Sequence, residues 1–529
     1  MDVSFENGDL ENLIIKDKEY QRKRKIKIII IIILTLILIG ILIGVFFIVR
    51  EIKRKKGGKI ICSFTTLSDN ENIRLIRTNE DIEFDLIIDG TEYDKNYYHS
   101  FEKAGLHSVI FHFQNKLDSL EGFFNGNSKL KEVDFSQLET ENIKSMANLF
   151  SKCPNSKKVN FGSNFDTSKV TNMQDLFFRC GELNELDLST FKLENLINAE
   201  SMFESCYNLK LIKFNNNTRT NNLEIMDNMF RACLSLEYIN TKIFKTDKVT
   251  KLKKVFALCH SLKEIDISHF KTNNVVEILG IFNDSSNLKK INISNWDASN
   301  LKLIDSIFSD CTNLISLNFS LVNSSQLTDI NNTFYHCSSL TSIDLSSFDF
   351  SSVTIAREMF NSCTNLEHVI LPNHMTSLQN AEGMFASCSS LKYINLDFLE
   401  FNHKFNDANH MFKNCSSLIE IKFPEVYSYE GTDLTEMFSG CINIKSIDLG
   451  KYGVKYISSM NMMFYNCEKL EYIDISNLNM KNKDPSKKIN IFGRVGINIT
   501  TKVIIIYNDQ NVDEDIEKQI KNATNKLSS

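Results

Sequence analysis

Proline and tryptophan are nearly missing: the 529 residues hold four of the first and one of the second. So few prolines leave no proline-rich linker or recognition segment. The 19 glycines gather in no glycine-rich phosphate loop, and no pair of carboxylates stands out as a catalytic set. Among the 13 cysteines there is no C-x-x-C pair, so a four-ligand zinc site has no local support. The ten histidines follow no regular position. Cations are not in excess either. The net charge is −6, and because residues 1–59 carry +6, the remainder carries −12. Binding to nucleic acid needs clustered cations that displace counterions, and beyond residue 59 the chain lacks them. No nucleic-acid partner, no metal and no cofactor is expected, and catalysis has no candidate residues.

What the chain has in abundance begins with "IIIIIILTLILIGILIGVFFIV", 22 residues from Ile28 to Val49 without a charge. At about 1.5 Å per residue such a helix spans roughly 33 Å, enough to cross a bilayer once. No small-residue cleavage site precedes the following "REIKRKKGGK". Seven cations lie upstream, between Lys16 and Lys27, and six downstream, between Arg50 and Lys59. That near-balance gives the positive-inside rule little to act on. Both clusters are placed to meet anionic headgroups.

The second feature is a repeat. Phenylalanine recurs at 124, 150, 177, 203, 230, 256, 282, 308, 334, 360, 385, 412, 438, 464 and 492, in steps of 25 to 28 residues and mostly 26. Three residues after most of them stands a cysteine, as in "MFESC" (202–206) and "MFNSC" (359–363). A fixed period in this range marks a solenoid, in which each unit buries its apolar face only against its neighbours. After the cysteine come short alternating runs such as "LNELDLS" (183–189), "LKEIDIS" (262–268) and "LEYIDIS" (470–476), which predict strands with one buried face. Segments such as "SKVTNMQDLF" (168–177) offer a capping residue and apolar positions at helical spacing, and predict a short helix or 3₁₀ turn.

"LFSKCPNS", "FDTSKVTNMQDLFFRC" and "MFNSCTNLEHV" resemble the leucine-rich-repeat surface proteins of the BspA type. The resemblance covers residues 119–500, with Asn127 and Ser285 standing where the pattern has cysteine and "KFNNNTRTNNLEIMDNMF" (213–230) blurring it. It implies an α/β, right-handed leucine-rich-repeat solenoid of about 15 units of about 26 residues, strand plus short helix. Surface exposure and binding roles such as adhesion are implied too, with no catalytic residues to carry over. The expected organisation is a tail (1–27), a transmembrane helix (28–49), a basic segment (50–59), a small β cap domain (60–118), the solenoid (119–500) and a C-terminal cap strand and helix (501–529).

Twelve equivalent cysteines argue against a catalytic thiol, which needs one particular partner base. Disulfides between rungs would offer each thiol two equal partners and no specific pairing. The array cysteines are therefore expected to be free and buried, packing as small hydrophobes. Two strand columns should point outward. One is rich in Asp and Asn, from Asp134 to Asp474, and predicts a side-chain hydrogen-bond ladder between rungs. The other varies in residue type and holds Tyr238, His368, Tyr393 and Tyr472, the candidate ligand-binding residues of a concave face. The reading that follows is a single-pass protein of the plasma membrane with an extracellular array that binds a protein or glycan partner. Its alternative is a receptor-like or scaffold protein whose array faces the cytosol, where free thiols are stable.

Overall fold

The computed structural model describes residues 7–54, 57–77, 82–396, 404–423, 426–499 and 502–525. Helix α1 (Asn7–Arg54) contains a stretch long and apolar enough to cross a membrane, and none of that stretch is buried against the rest of the chain. Six strands follow before the repeats: β1 (Gly58–Thr66), β2 (Glu71–Arg74), β3 (Phe84–Ile88), β4 (Thr91–Tyr93), β5 (Tyr98–Phe101) and β6 (Gly105–Phe113). The first repeat strand is β7 (Leu130–Leu138). Strand β1 lies antiparallel to β6 on one side and to β7 on the other. Strands β4, β3, β6 and β1 thus continue the solenoid's sheet and cover the edge of its first rung, where unpaired peptide groups would otherwise invite pairing with another chain, while β2 and β5 pair apart from it.

The repeats wind as a β-solenoid of about 13 turns. That number matches the Cys or Ser positions from 153 to 467. Phe124 and Phe492 lie outside that span, in partial turns at the ends. One face of the stack is built of short parallel strands in strict register: Glu264 faces Lys290 and Lys290 faces Ser316, while Asp266 faces Asn292 and Asn292 faces Asn318. The opposite side is joined by parallel bridges such as Ser119–Ser145–Asn172–Asn198–Ile225.

Between the two sides run the core columns. The fifteen phenylalanines form one continuous stack, with neighbouring ring centroids 5.2 to 6.0 Å apart and planes within 2 to 17° of parallel. This offset stacking respects the ring quadrupole better than a face-to-face sandwich does.

The cysteine column has its own geometry. Each of the twelve thiols donates to the carbonyl of the preceding rung's phenylalanine, at 3.0 to 3.3 Å. Ser285 makes the same bond to Phe256 O at 2.7 Å, which explains why a hydroxyl can replace the thiol there. At the first rung no phenylalanine precedes. There Asn127 Nδ2 donates instead to Arg74 O and Leu75 O, tying the solenoid to the strands before it. Cys62, just past the apolar helix, is buried within β1 and is not exposed for pairing with another chain.

Among the described residues no α-helix stands before the phenylalanines; of the two expectations, short helix or 3₁₀ turn, the segments take single turns closed by bonds three residues back. In the rung of Phe150, the N–H groups of Met146, Asn148, Phe150 and Lys152 donate to the next rung, at 2.6 to 2.9 Å. Those of Leu149, Ser151 and Cys153 donate three residues back. A helix needs every N–H to reach the carbonyl four residues behind it, and here every second one is taken by the neighbouring rung. Two left-handed residues per rung enforce this path. They stand two before and two after the phenylalanine, as with Asn148 (φ 58°) and Lys152 (φ 59°), in all fifteen rungs.

Glycine fills this position at Gly280 (φ +55°), where an added Cβ would lie 3.2 Å from Asn283 Cβ. A β-branched residue is strained in this region. Gly280→Val is expected to cost about 1–3 kcal/mol, read as a lowered denaturant midpoint. An unchanged midpoint would contradict the turn geometry.

The far end is closed by a last strand, Ile504–Ile506, parallel to Tyr472–Asp474, and by helix α2 (Glu514–Thr524). Asp513 caps α2 by accepting from Ile516 N–H, and Ile516, Ile520 and Ala523 are buried. Lys488, 7% exposed, holds the helix start through Asp513 at 2.8 Å and Asp515 at 3.1 Å.

Candidate recognition surface

Most polar positions of a rung are committed to holding the next one. Thr167, Thr220 and Thr246 are buried and accept from the backbone N–H of Lys192, Lys245 and Lys271 at 2.7 to 2.9 Å. Thr167 stands just before the "SKVTNMQDLF" segment, and its hydroxyl bonds both the N–H and the carbonyl of Lys192 on the next rung.

The Asp/Asn column is likewise structural, with a geometry different from the one expected. Asp134, Asp187, Asp266, Asp344, Asp448 and Asp474 each accept from the N–H two residues further on, at 2.7 to 3.0 Å. These are Asx turns that end each strand. Bonds between rungs are added only in places. Burial alone would raise Asp266, but bonds from Ser268 and Asn292 hold its carboxyl below the ordinary value. A short side chain reaches its own turn with less loss of freedom than it would need to stretch to the next rung, so the local bond dominates.

What remains free is the variable column. Tyr238 is 63% exposed and Tyr393 57%, and His368 is exposed as well. Tyr472 is half-buried, and its hydroxyl is engaged by Asp474. The four share one face, but they do not form one site. His368 and Tyr393 are on successive rungs. Tyr238 lies five rungs before His368, about 24 Å at ~4.8 Å per rung, and Tyr472 three rungs after Tyr393.

Tyr238 borders a groove of about 750 Å³ that runs over four rungs to Ser316 and Asn318. It lies where the strand ladder is interrupted: residues 238–240 form no strand, with Leu211–Phe214 before them and Glu264–Asp266 after. Asn216, Arg219 and Lys242 enter its wall. None was predicted, although Asn216 and Arg219 come from the "NNNTRT" stretch whose irregularity was visible in the sequence.

The fold so described is a leucine-rich-repeat solenoid with an exposed strand face. The family described as "Mycoplasma protein of unknown function, DUF285" matches at residues 118–238, 224–342 and 304–425, more than half of the chain. A "BspA type Leucine rich repeat region (6 copies)" matches residues 408–503. The chain belongs to this BspA-like family of repeat proteins. Among curated proteins no sequence matches. Two solved structures are similar. A TLR13–ssRNA13 complex shares 14% identity at a TM-score of 0.21, over 70% of this chain and 62% of that one. A leucine-rich repeat protein from Eubacterium ventriosum ATCC 27560 shares 13% at 0.28, over 68% and 82%.

Proposed function

We propose that the protein is a membrane-anchored surface protein, not an enzyme, whose solenoid recognises a protein or glycan partner on its concave strand face. The observation that carries this reading is the division of labour among the columns. Phenylalanine, cysteine, threonine and Asp/Asn positions each have a structural bond or packing role, whereas the variable column is exposed and makes no repeated contact. Exposed tyrosines there offer contact area and a polar tip at low entropic cost. Helix α1 is the anchor. The cytosolic alternative draws on one fact, that all thirteen cysteines are free. Protease treatment of intact cells separates the two, since an outward array is digested and an inward one survives.

Binding is tested with the full chain in lipid nanodiscs against a panel of matrix proteins and oligosaccharides. Tyr238→Ala and Tyr393→Ala are compared with Lys413→Ala, a change on the turn side where Lys413 pairs with Glu436 at 2.6 Å. At least one tyrosine substitution is expected to weaken the strongest binder about tenfold or more, with Lys413→Ala without effect. Equal affinity in all three, with the fold intact, would remove the strand face as the site.

A further inference from the structure

We infer that the groove beside Tyr238 holds a neutral oligosaccharide, an assignment that rests on the strand face being the recognition surface and narrows it to four rungs and one ligand chemistry. Three observations converge. First, the exposed ring of Tyr238 gives the groove a flat apolar wall of the kind on which the C–H face of a sugar ring packs. Second, the polar groups are planar amides and carboxylates already fixed in direction. Asn240 Nδ2 donates to Asn216 Oδ1 at 2.9 Å while its own Oδ1 accepts from Lys242 N–H. Asn292 Oδ1 accepts from Ser294 N–H, and its side chain also bonds Asp266. Preorganised groups of this type offer a donor and an acceptor side by side, matching sugar hydroxyls, each of which donates and accepts at once.

Third, charge nearly cancels: Arg219, Lys242 and Lys290 face Glu264 and Asp266. A polyanion or polycation finds no one-signed field to dock against. A protein partner would need an apolar, desolvated centre, yet the isoleucines of this stretch, Ile239, Ile265 and Ile291, lie buried beneath the strand face. The volume of about 750 Å³ suits a short ligand of small-molecule size. Successive rungs, about 4.8 Å apart, are close to the length of one pyranose unit, so a chain laid along the solenoid axis would meet equivalent groups ring after ring.

The test uses the full chain in detergent, produced in a host without N-glycosylation, because Asn216, Asn292 and Asn318 each begin an N-x-S/T sequence. The probes are neutral hexasaccharides of glucose, mannose and N-acetylglucosamine, sulfated hexasaccharides, and a set of matrix proteins, compared for Tyr238→Ala, Asn292→Ala and Tyr393→Ala. Thermal melts confirm that each variant folds. The expected result is that one neutral series binds with little salt dependence. Tyr238→Ala and Asn292→Ala then weaken it about tenfold or more, and by more than Tyr393→Ala does.

Binding confined to sulfated sugars or to proteins, or no neutral binder at millimolar concentration, would overturn the groove assignment. If such a ligand is still lost in Tyr393→Ala, the strand-face reading survives that failure. A ligand indifferent to all three substitutions would overturn both.

Discussion

Replacing Phe334 by alanine is expected to cost about 3–5 kcal/mol, the range for a buried aromatic whose site cannot collapse. Phe334 is fully buried and stacks on Phe308 at 5.3 Å and on Phe360 at 5.2 Å, with Phe319 edge-on at 6.2 Å. Alanine removes both stacking contacts and leaves a gap that backbone ladders on either side prevent from closing. The loss falls on the interface between neighbouring rungs, and solenoid stability is a sum of such interfaces. The unfolding curve should therefore shift and also broaden, as the array divides near the middle. Phe492 stacks only on Phe464 within this column, so Phe492→Ala should cost less. Denaturant unfolding of the full chain in detergent reads both variants. No shift for Phe334→Ala would place the column outside the core.

The repeat was legible because each rung demands the same residue at the same place. Phe308, Phe334 and Phe360 could be aligned by counting alone, and the cysteine column followed from them. Helix α2 was legible too, since "VDEDIEKQI" carries its own capping aspartate and apolar spacing. Other features depend on partners outside the local segment. "SKVTNMQDLF" has apolar spacing suited to a helix, yet it forms turns because alternate N–H groups find carbonyls of the next rung. Nothing local says that Thr167 will bridge to Lys192 rather than cap a helix. The groove was half legible: Tyr238 stood out by type, whereas Asn216 and Arg219 reach it through the path of an irregular loop. Irregularity in a repeat marks where the surface departs from the common form, and there the sequence showed that a departure would occur without giving its shape.

The central claim is that the repeated phenylalanine and cysteine columns build the stack and leave the strand face to act, and the cysteines test it most directly. All thirteen are free and buried. Burial pushes the thiols of Cys153, Cys206, Cys259, Cys363 and Cys415 up to about 12. At neutral pH only about one such thiol in 10⁵ is ionised, and the thiolate is the reactive form. Each of the twelve array thiols is also bonded to a phenylalanine carbonyl of the preceding rung. Labelling of the full chain with iodoacetamide and peptide mapping by mass spectrometry should therefore find almost no alkylation in the folded protein. After denaturation without reductant, all thirteen cysteines should be labelled, with no disulfide among them. Rapid labelling of one or two array cysteines while the fold persists, or defined disulfides between rungs, would contradict the account.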